Sequence, residues 1–129
     1  MKAYGRHLVT FAIPLLLVGC SKPTPEDFIQ TSNEYLNNGN LETALVNLKT
    51  AVQAYPEDTE LRSLLASAMY ESGNLQGAEK ELKRLVEANP TSSELLERYF
   101  FALYHQNKYE DIILHQVKAE INTPIIKQL

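Results

Sequence analysis

The sequence predicts an all-α protein, a solenoid of about three helical hairpins and six helices that follows an apolar N-terminal segment. From about residue 24 the sequence repeats itself with a spacing of 34 residues, which indicates stacked supersecondary units. Within each unit, apolar residues recur at i, i+3, i+4 and i+7, the spacing of one helix face. No segment alternates between apolar and polar residues with a period of two, so no strand is predicted.

Residues that recur at the 34-residue spacing divide each unit into two helices. They are Gly39 and Gly73, Asn40 and Asn74, Leu41 and Leu75, Ala44 and Ala78, Leu48 and Leu82, and Pro56, Pro90 and Pro124. Each glycine is expected to end a first helix, because glycine adopts the left-handed cap conformation. Each proline follows a second helix, which it cannot continue. The units predicted in this way are residues 24–58, 59–92 and 93–126, with a short tail at 127–129.

Two helix starts carry capping signals. Thr24 is expected to cap the first helix, with Pro25 in its first position and the acids Glu26 and Asp27 in its first turn. In the third unit, the segment Thr91-Ser92-Ser93-Glu94 predicts a capping box.

The first two units resemble the tetratricopeptide repeat, a pair of helices that spans 34 residues. Small residues let the two helices approach where they cross, and larger ones fill the space beside them. The first unit matches the family pattern with Phe28, Ser32, Tyr35, Ala44, Leu48, Ala51 and Pro56, and the second with Ala66, Met69, Ala78, Leu82 and Pro90. The resemblance implies a concave groove, lined by the first helices of successive units, that binds a protein or peptide partner.

The third unit departs from this pattern. Phe100 occupies a position where a small residue is expected, Ile112 replaces alanine, and Gln116 replaces an apolar residue. Terminal repeats are often atypical, and arrays usually end with a polar-faced capping helix. Only five residues follow Pro124, so three explanations stay open: the chain is a fragment of a longer array, it self-associates through this uncapped end, or the last helix is itself the cap.

The N-terminal segment has the features of a secretory signal peptide at residues 1–19. Lys2 and Arg6 precede an apolar run from Leu8 to Val18, which ends at Gly19. The run is too short for a permanent transmembrane helix, which needs about 20 apolar residues.

The segment Leu17-Val18-Gly19-Cys20 resembles the lipobox of bacterial lipoproteins. The resemblance implies that the signal is cleaved before Cys20, that lipid is attached to the Cys20 thiol, and that residues 20–23 form a short tether. The protein would then be lipid-anchored in the cell envelope and face the periplasm. Ser21, in place of an aspartate, favours the outer membrane. The alternative is a cytosolic protein with a buried apolar N-terminal helix and an inert cysteine.

Composition and motifs argue against several classes of function. All 16 acidic residues follow Cys20 and the whole chain has a net charge of −4, so a nucleic-acid partner is not expected. Nucleophile motifs, phosphate-binding loops and Cys/His clusters are missing from the sequence, so neither an enzyme nor a cofactor is predicted. His105 and His115 flank Glu110-Asp111, but they are ten residues apart across a turn, which favours solvated histidines over a metal site.

The positions that line the groove in this family give a candidate partner-binding set. It comprises Asn33, Asn37, Ser67, Tyr70, Glu71, Phe101, Tyr104 and His105. Amides near one end could hydrogen-bond an extended backbone, and aromatic rings near the other could hold apolar side chains. Tyr99 and Phe100 adjoin Phe101, and with Tyr104 these four cannot all be buried on one helix face. At least one is therefore expected to face a groove or a partner.

The order of lipobox and repeats is similar to that of the repeat lipoproteins of exosortase (PEP-CTERM) sorting and exopolysaccharide systems, which are usually longer. This similarity implies an interaction scaffold in cell-envelope assembly or export. One alternative is an outer-membrane biogenesis factor, such as a type IV pilus pilotin or a barrel-assembly lipoprotein. Another is a periplasmic enzyme accessory or glycan-binding protein, although glycan binding favours aromatic platforms and the chain has no tryptophan.

Overall fold

The computed structural model describes residues 22–121, with side chains as far as Lys118. This part of the chain holds six helices and no strand: α1 (Pro25–Asn37), α2 (Leu41–Ala54), α3 (Thr59–Glu71), α4 (Leu75–Ala88), α5 (Ser93–Tyr104) and α6 (Tyr109–Ile121). Each helix packs against the next one in the chain, and α1 also touches α3. The predicted all-α fold of stacked hairpins is confirmed.

Two apolar clusters form the core of the stack. The first joins α2 to α3 and has five buried residues, Leu48, Ala51, Leu61, Leu65 and Ala68. The second joins α3 and α4 to α5 and has seven, Ala66, Leu82, Leu85, Val86, Tyr99, Ala102 and Leu103. Both clusters bridge consecutive hairpins, so each unit depends on its neighbour to bury its apolar face.

Small residues lie where the two helices of a hairpin cross. Ser32 and Ala44 are fully buried between α1 and α2, and Ala66 and Ala78 are buried in the second hairpin. The Ser32 hydroxyl accepts a hydrogen bond of 2.8 Å from the Asn47 amide, which also donates to the Phe28 carbonyl at 3.1 Å. The polar group of Ser32 is therefore satisfied within the crossing.

The predicted start of α1 is confirmed, and that of α5 is wrong by one residue. Thr24 forms a reciprocal capping box with Asp27, at 2.8 and 3.3 Å. In the third unit the cap is Ser92, whose hydroxyl accepts from the Leu95 N–H at 3.4 Å. The predicted box from Thr91 does not form, because the Thr91 hydroxyl hydrogen-bonds the Asn89 side chain at 3.2 Å in the preceding turn.

The turn inside each hairpin contains one residue in the left-handed conformation. Gly39 and Gly73 have φ values of 73° and 79°, as predicted, and Asn107 takes the same place in the third hairpin with φ 60°. Asparagine tolerates this conformation better than most residues. The third turn is also tied to α4, because the side chains of Gln106 and Lys108 both bond the Glu79 carboxylate.

The start of the described chain is fixed against the first hairpin. The Tyr55 hydroxyl donates a hydrogen bond of 2.7 Å to the Pro23 carbonyl. Pro23 and Lys22 belong to the predicted tether. The predicted signal peptide (1–19), the lipidation site Cys20 and the tail (127–129) lie outside the described residues. None of the helices between residues 22 and 121 is long and apolar enough to cross a bilayer.

Candidate functional site

A cavity of about 390 Å³ opens between α3 and α5, the first helices of the second and third units. Ala66 and Leu82, both buried, lie at its base. Its lining residues are Ala66, Ser67, Tyr70, Glu71, Leu82, Glu97, Arg98 and Phe101. Because alanine at position 66 has only a methyl side chain, the space between the two helices is left open above it.

Three rings cluster at the carboxyl-terminal ends of α3 and α5. The Phe101 ring centroid lies 5.9 Å from that of Tyr70 and 4.6 Å from that of His105, and the Tyr70 and His105 rings meet edge to face at 5.9 Å. Phe101 is nevertheless 54% exposed. The cluster therefore presents an open aromatic wall to a ligand, and its rings already hold one another in place.

Arg98 crosses the groove from α5 to α3. Its guanidinium donates to the Ser63 hydroxyl at 2.9 Å and to the hydroxyl of Ser67. Both serines are on α3, so these hydrogen bonds set the spacing of the two helices that form the cavity walls. A half-buried guanidinium has further N–H groups that can donate to carbonyl oxygens of a bound chain.

Two carboxylates complete the cavity. Glu71 follows Tyr70 at the end of α3, and Glu97 precedes Arg98 on α5, and both are exposed. The site thus combines an apolar base, an aromatic wall, a fixed guanidinium and two solvated acids. Such a combination suits an extended peptide better than a small polar molecule, because backbone and apolar side-chain contacts are both available.

The structure brings together only part of the sequence-predicted set. Four members, Ser67, Tyr70, Glu71 and Phe101, line the cavity, and a fifth, His105, lies against its aromatic wall. Tyr104 lines a second, shallower depression with Phe100 and Ile112. Asn33 and Asn37 are exposed on α1 and do not line the cavity.

Sequence reasoning missed Arg98, Ala66 and Leu82 as parts of this site. Arg98 is three residues before Phe101, so helical spacing places the two on one face and could have identified it. Ala66 and Leu82 were interpreted as packing residues of the repeat. They do pack, and they also form the base of the cavity.

The histidines lie in different surroundings. His105 caps the carboxyl end of α5 and is exposed, as expected. The expectation of a solvated side chain is wrong for His115, which is half-buried in α6 with its ring 5.3 Å from Phe100 and 6.0 Å from Tyr99.

The pKa of the Tyr99 phenol is raised above its ordinary value of 10.0, first by burial and then by the nearby acids Glu79, Asp111 and Glu87. Over the described residues, no three metal-ligating side chains come together.

Replacing Arg98 by methionine tests its role in spacing the groove. The Arg98→Met variant loses the hydrogen bonds to Ser63 and Ser67, and its free energy of unfolding should fall by about 1–3 kcal/mol. Glu97→Gln, on the exposed face of the same helix, should stay within about 0.5 kcal/mol of the parent. Denaturant unfolding measures both, and equal stability of the two variants would contradict this role.

Comparison with known proteins agrees with the helical-repeat fold. Residues 35–98, which include most of the cavity lining, match the family model described as tetratricopeptide repeat. No curated protein sequence matches the chain. Among 45 matching chains of solved structures is that of a MamA point mutant, with a TM-score of 0.65 and 17% sequence identity over 78% of this chain and 73% of that one. The described part of the chain therefore has the fold of the tetratricopeptide repeat, with the family's sequence pattern across residues 35–98.

Proposed function

We propose that this protein is a lipid-anchored interaction scaffold of the cell envelope, whose groove between α3 and α5 binds a peptide segment of a partner protein. The observation that carries the proposal is the cavity itself, which lies between first helices and joins an apolar base to an exposed aromatic wall. Exposed aromatic side chains in a concave surface are typical anchors for partner binding.

The groove can accept a partner segment in two ways at once. An apolar side chain of the partner fits over Ala66 and Leu82 and packs against Phe101 and Tyr70. The Arg98 guanidinium is positioned to donate to a backbone carbonyl of the same segment. Because the two helices are held together by Arg98 and by the second core cluster, the groove is formed before the partner binds, which lowers the entropic cost of association.

The proposed anchor rests on the lipobox-like sequence at Leu17–Cys20, and the first hairpin determines how such an anchor would orient the groove. Pro23, only three residues after Cys20, is bonded to Tyr55 at the end of α2. Short connections make successive helices alternate in direction, so Thr24 and Tyr55 lie at one edge of the stack, and Tyr70 and His105 lie at the opposite edge. A lipid on Cys20 would leave the aromatic wall directed away from the membrane.

Within the envelope, we propose that this scaffold acts in exosortase-type sorting or exopolysaccharide export. The basis is that the lipobox is followed directly by the repeats, as in the lipoproteins of those systems. A type IV pilus pilotin or barrel-assembly role has the same anchor and repeats, so identification of the bound partner distinguishes them. A periplasmic accessory or glycan-binding role has less support, because the exposed rings of the groove belong to one tight cluster and not to a flat platform.

A photo-crosslinker in the groove tests partner binding in living cells. With benzoylphenylalanine at position 101, irradiation should yield a discrete crosslinked partner, because this side chain is exposed on the cavity wall. The control carries the same group at position 46, where Val46 is 66% exposed on α2. The same adducts at both positions, or none at position 101, would contradict the proposed groove.

The lipid anchor has a separate test. Cys20→Ala removes the thiol on which lipid attachment depends, so the variant should keep its signal peptide and fail to incorporate a fatty-acid label. Ser21→Ala, one residue further on, should be processed and labelled as the parent is. Intact-mass measurement of membrane fractions reads both outcomes, and normal cleavage of the Cys20→Ala chain would show that the protein is not a lipoprotein.

A further inference from the structure

Exposed apolar side chains are concentrated on the last hairpin. Within the described residues seven large apolar side chains are exposed, and six of them are on α5 and α6: Phe101, Tyr104, Tyr109, Ile113, Leu114 and Val117. A concentration of this kind on a protein surface indicates an interaction site.

The outer face of α6 differs from that of the equivalent helices α2 and α4. At the 34-residue spacing, Val117 corresponds to Lys49 and Lys83, which are exposed. Leu114 corresponds to Val46 and Lys80. Where the earlier units expose mainly lysine, α6 therefore exposes two adjacent aliphatic side chains, Leu114 at 51% and Val117 at 44% exposure.

The inner face of α6 is apolar as well. Ile112 packs on the second core cluster, and the His115 ring contacts Phe100. Ile113, which is 59% exposed, lies between the inner face and the outer face. α6 thus carries apolar side chains on its inner face and on part of its outer face, beside the charged Glu110, Asp111 and Lys118. A surface helix normally exposes a more continuous polar face. Contacts within the described chain cover only one side of α6.

We propose that α6 pairs with α6 of a second copy of this chain, antiparallel, about a two-fold axis at Leu114. The charges of the helix favour this occupant: Glu110 and Asp111 lie in its first turn and Lys118 in its last. Glu110 is four residues before Leu114 and Lys118 is four residues after it. A two-fold axis at Leu114 therefore places each Glu110 opposite the partner's Lys118, and the aliphatic side chains meet in the middle.

In this register Leu114 and Val117 of each copy face the partner, and the paired Glu110 and Lys118 side chains flank them. Tyr109 is five residues before Leu114, which places it about 140° away around the helix, so it stays outside the contact. The contact is smaller than a standard interface, so we expect a weak, reversible dimer. The surface is distinct from the groove, so the proposal stands independently of the proposed function.

Disulfide crosslinking tests the two-fold axis. The full chain with Cys20→Ser contains no other cysteine, so a thiol can be placed at one chosen position. After oxidation in mild detergent, Leu114→Cys should form a covalent dimer, because the two copies of this residue meet on the axis. Val46→Cys, which is also exposed and lies at the equivalent position of α2, should stay monomeric. Crosslinking of both variants to the same extent, or of neither, overturns the proposal.

Exchange of the charges tests the antiparallel register. Glu110→Lys or Lys118→Glu alone places like charges opposite each other twice per dimer, and each should raise the dimer dissociation constant at least about tenfold. The double exchange restores opposite charges and should return the constant to within about threefold of the parent. Sedimentation equilibrium measures all four proteins. A monomeric parent chain, whether its tail covers α6 or leaves it free, contradicts the proposal. So does a double exchange whose dimer dissociation constant stays as high as those of the single variants.

Discussion

The architecture depends on the close crossing of two helices at a pair of small residues. In the first two hairpins these pairs are Ser32 with Ala44 and Ala66 with Ala78, all buried. In the third hairpin the equivalent residues are Phe100 and Ile112, both large and only half-buried. The small residues at the first two crossings are completely buried, whereas none of the side chains described in α6 is buried. The apolar outer face of α6 has a separate origin, because Leu114 and Val117 replace residues that are mainly lysine in the earlier units.

The same choice of small residues shapes the groove. Ala66 serves the crossing of α3 with α4, and its methyl group also leaves the space that becomes the base of the cavity. Arg98 then fixes the opposite wall through hydrogen bonds to two serines of α3. Packing and binding are thus linked at one residue, because a larger side chain at position 66 would disturb the crossing and fill the cavity together. Such sharing is expected in repeat proteins, where each unit has few residues that do not contact a neighbour.

Periodicity predicted the helices, the turns at Gly39 and Gly73, and the reciprocal cap of α1, because these features depend on local spacing. The start of α5 was misplaced by one residue, since Thr91 and Ser92 are equally good caps in sequence and the preceding turn decides between them. The groove was predicted in part: Tyr70 and Phe101 follow from the repeat register. Arg98 was missed because its role depends on reaching serines 31 and 35 residues away. An uncapped last unit was considered, but Leu114 and Val117 were not identified as its exposed residues, because a degenerate unit has no reliable register from which to read them.

The central claim is that the fold depends on a close crossing of two helices at small residues. Its most direct test is the free energy of unfolding of an Ala78→Ile variant. This variant gives the second hairpin the isoleucine that the third hairpin has at the equivalent position, Ile112. Measured by denaturant titration, it should be about 1–3 kcal/mol less stable than the parent, because extra methylene groups in a closed crossing force the helices apart. Gln76→Ile, exposed on the same helix, corrects for helix propensity and should cost less than about 0.7 kcal/mol. An Ala78→Ile chain as stable as the Gln76→Ile chain would show that the fold does not depend on this close approach.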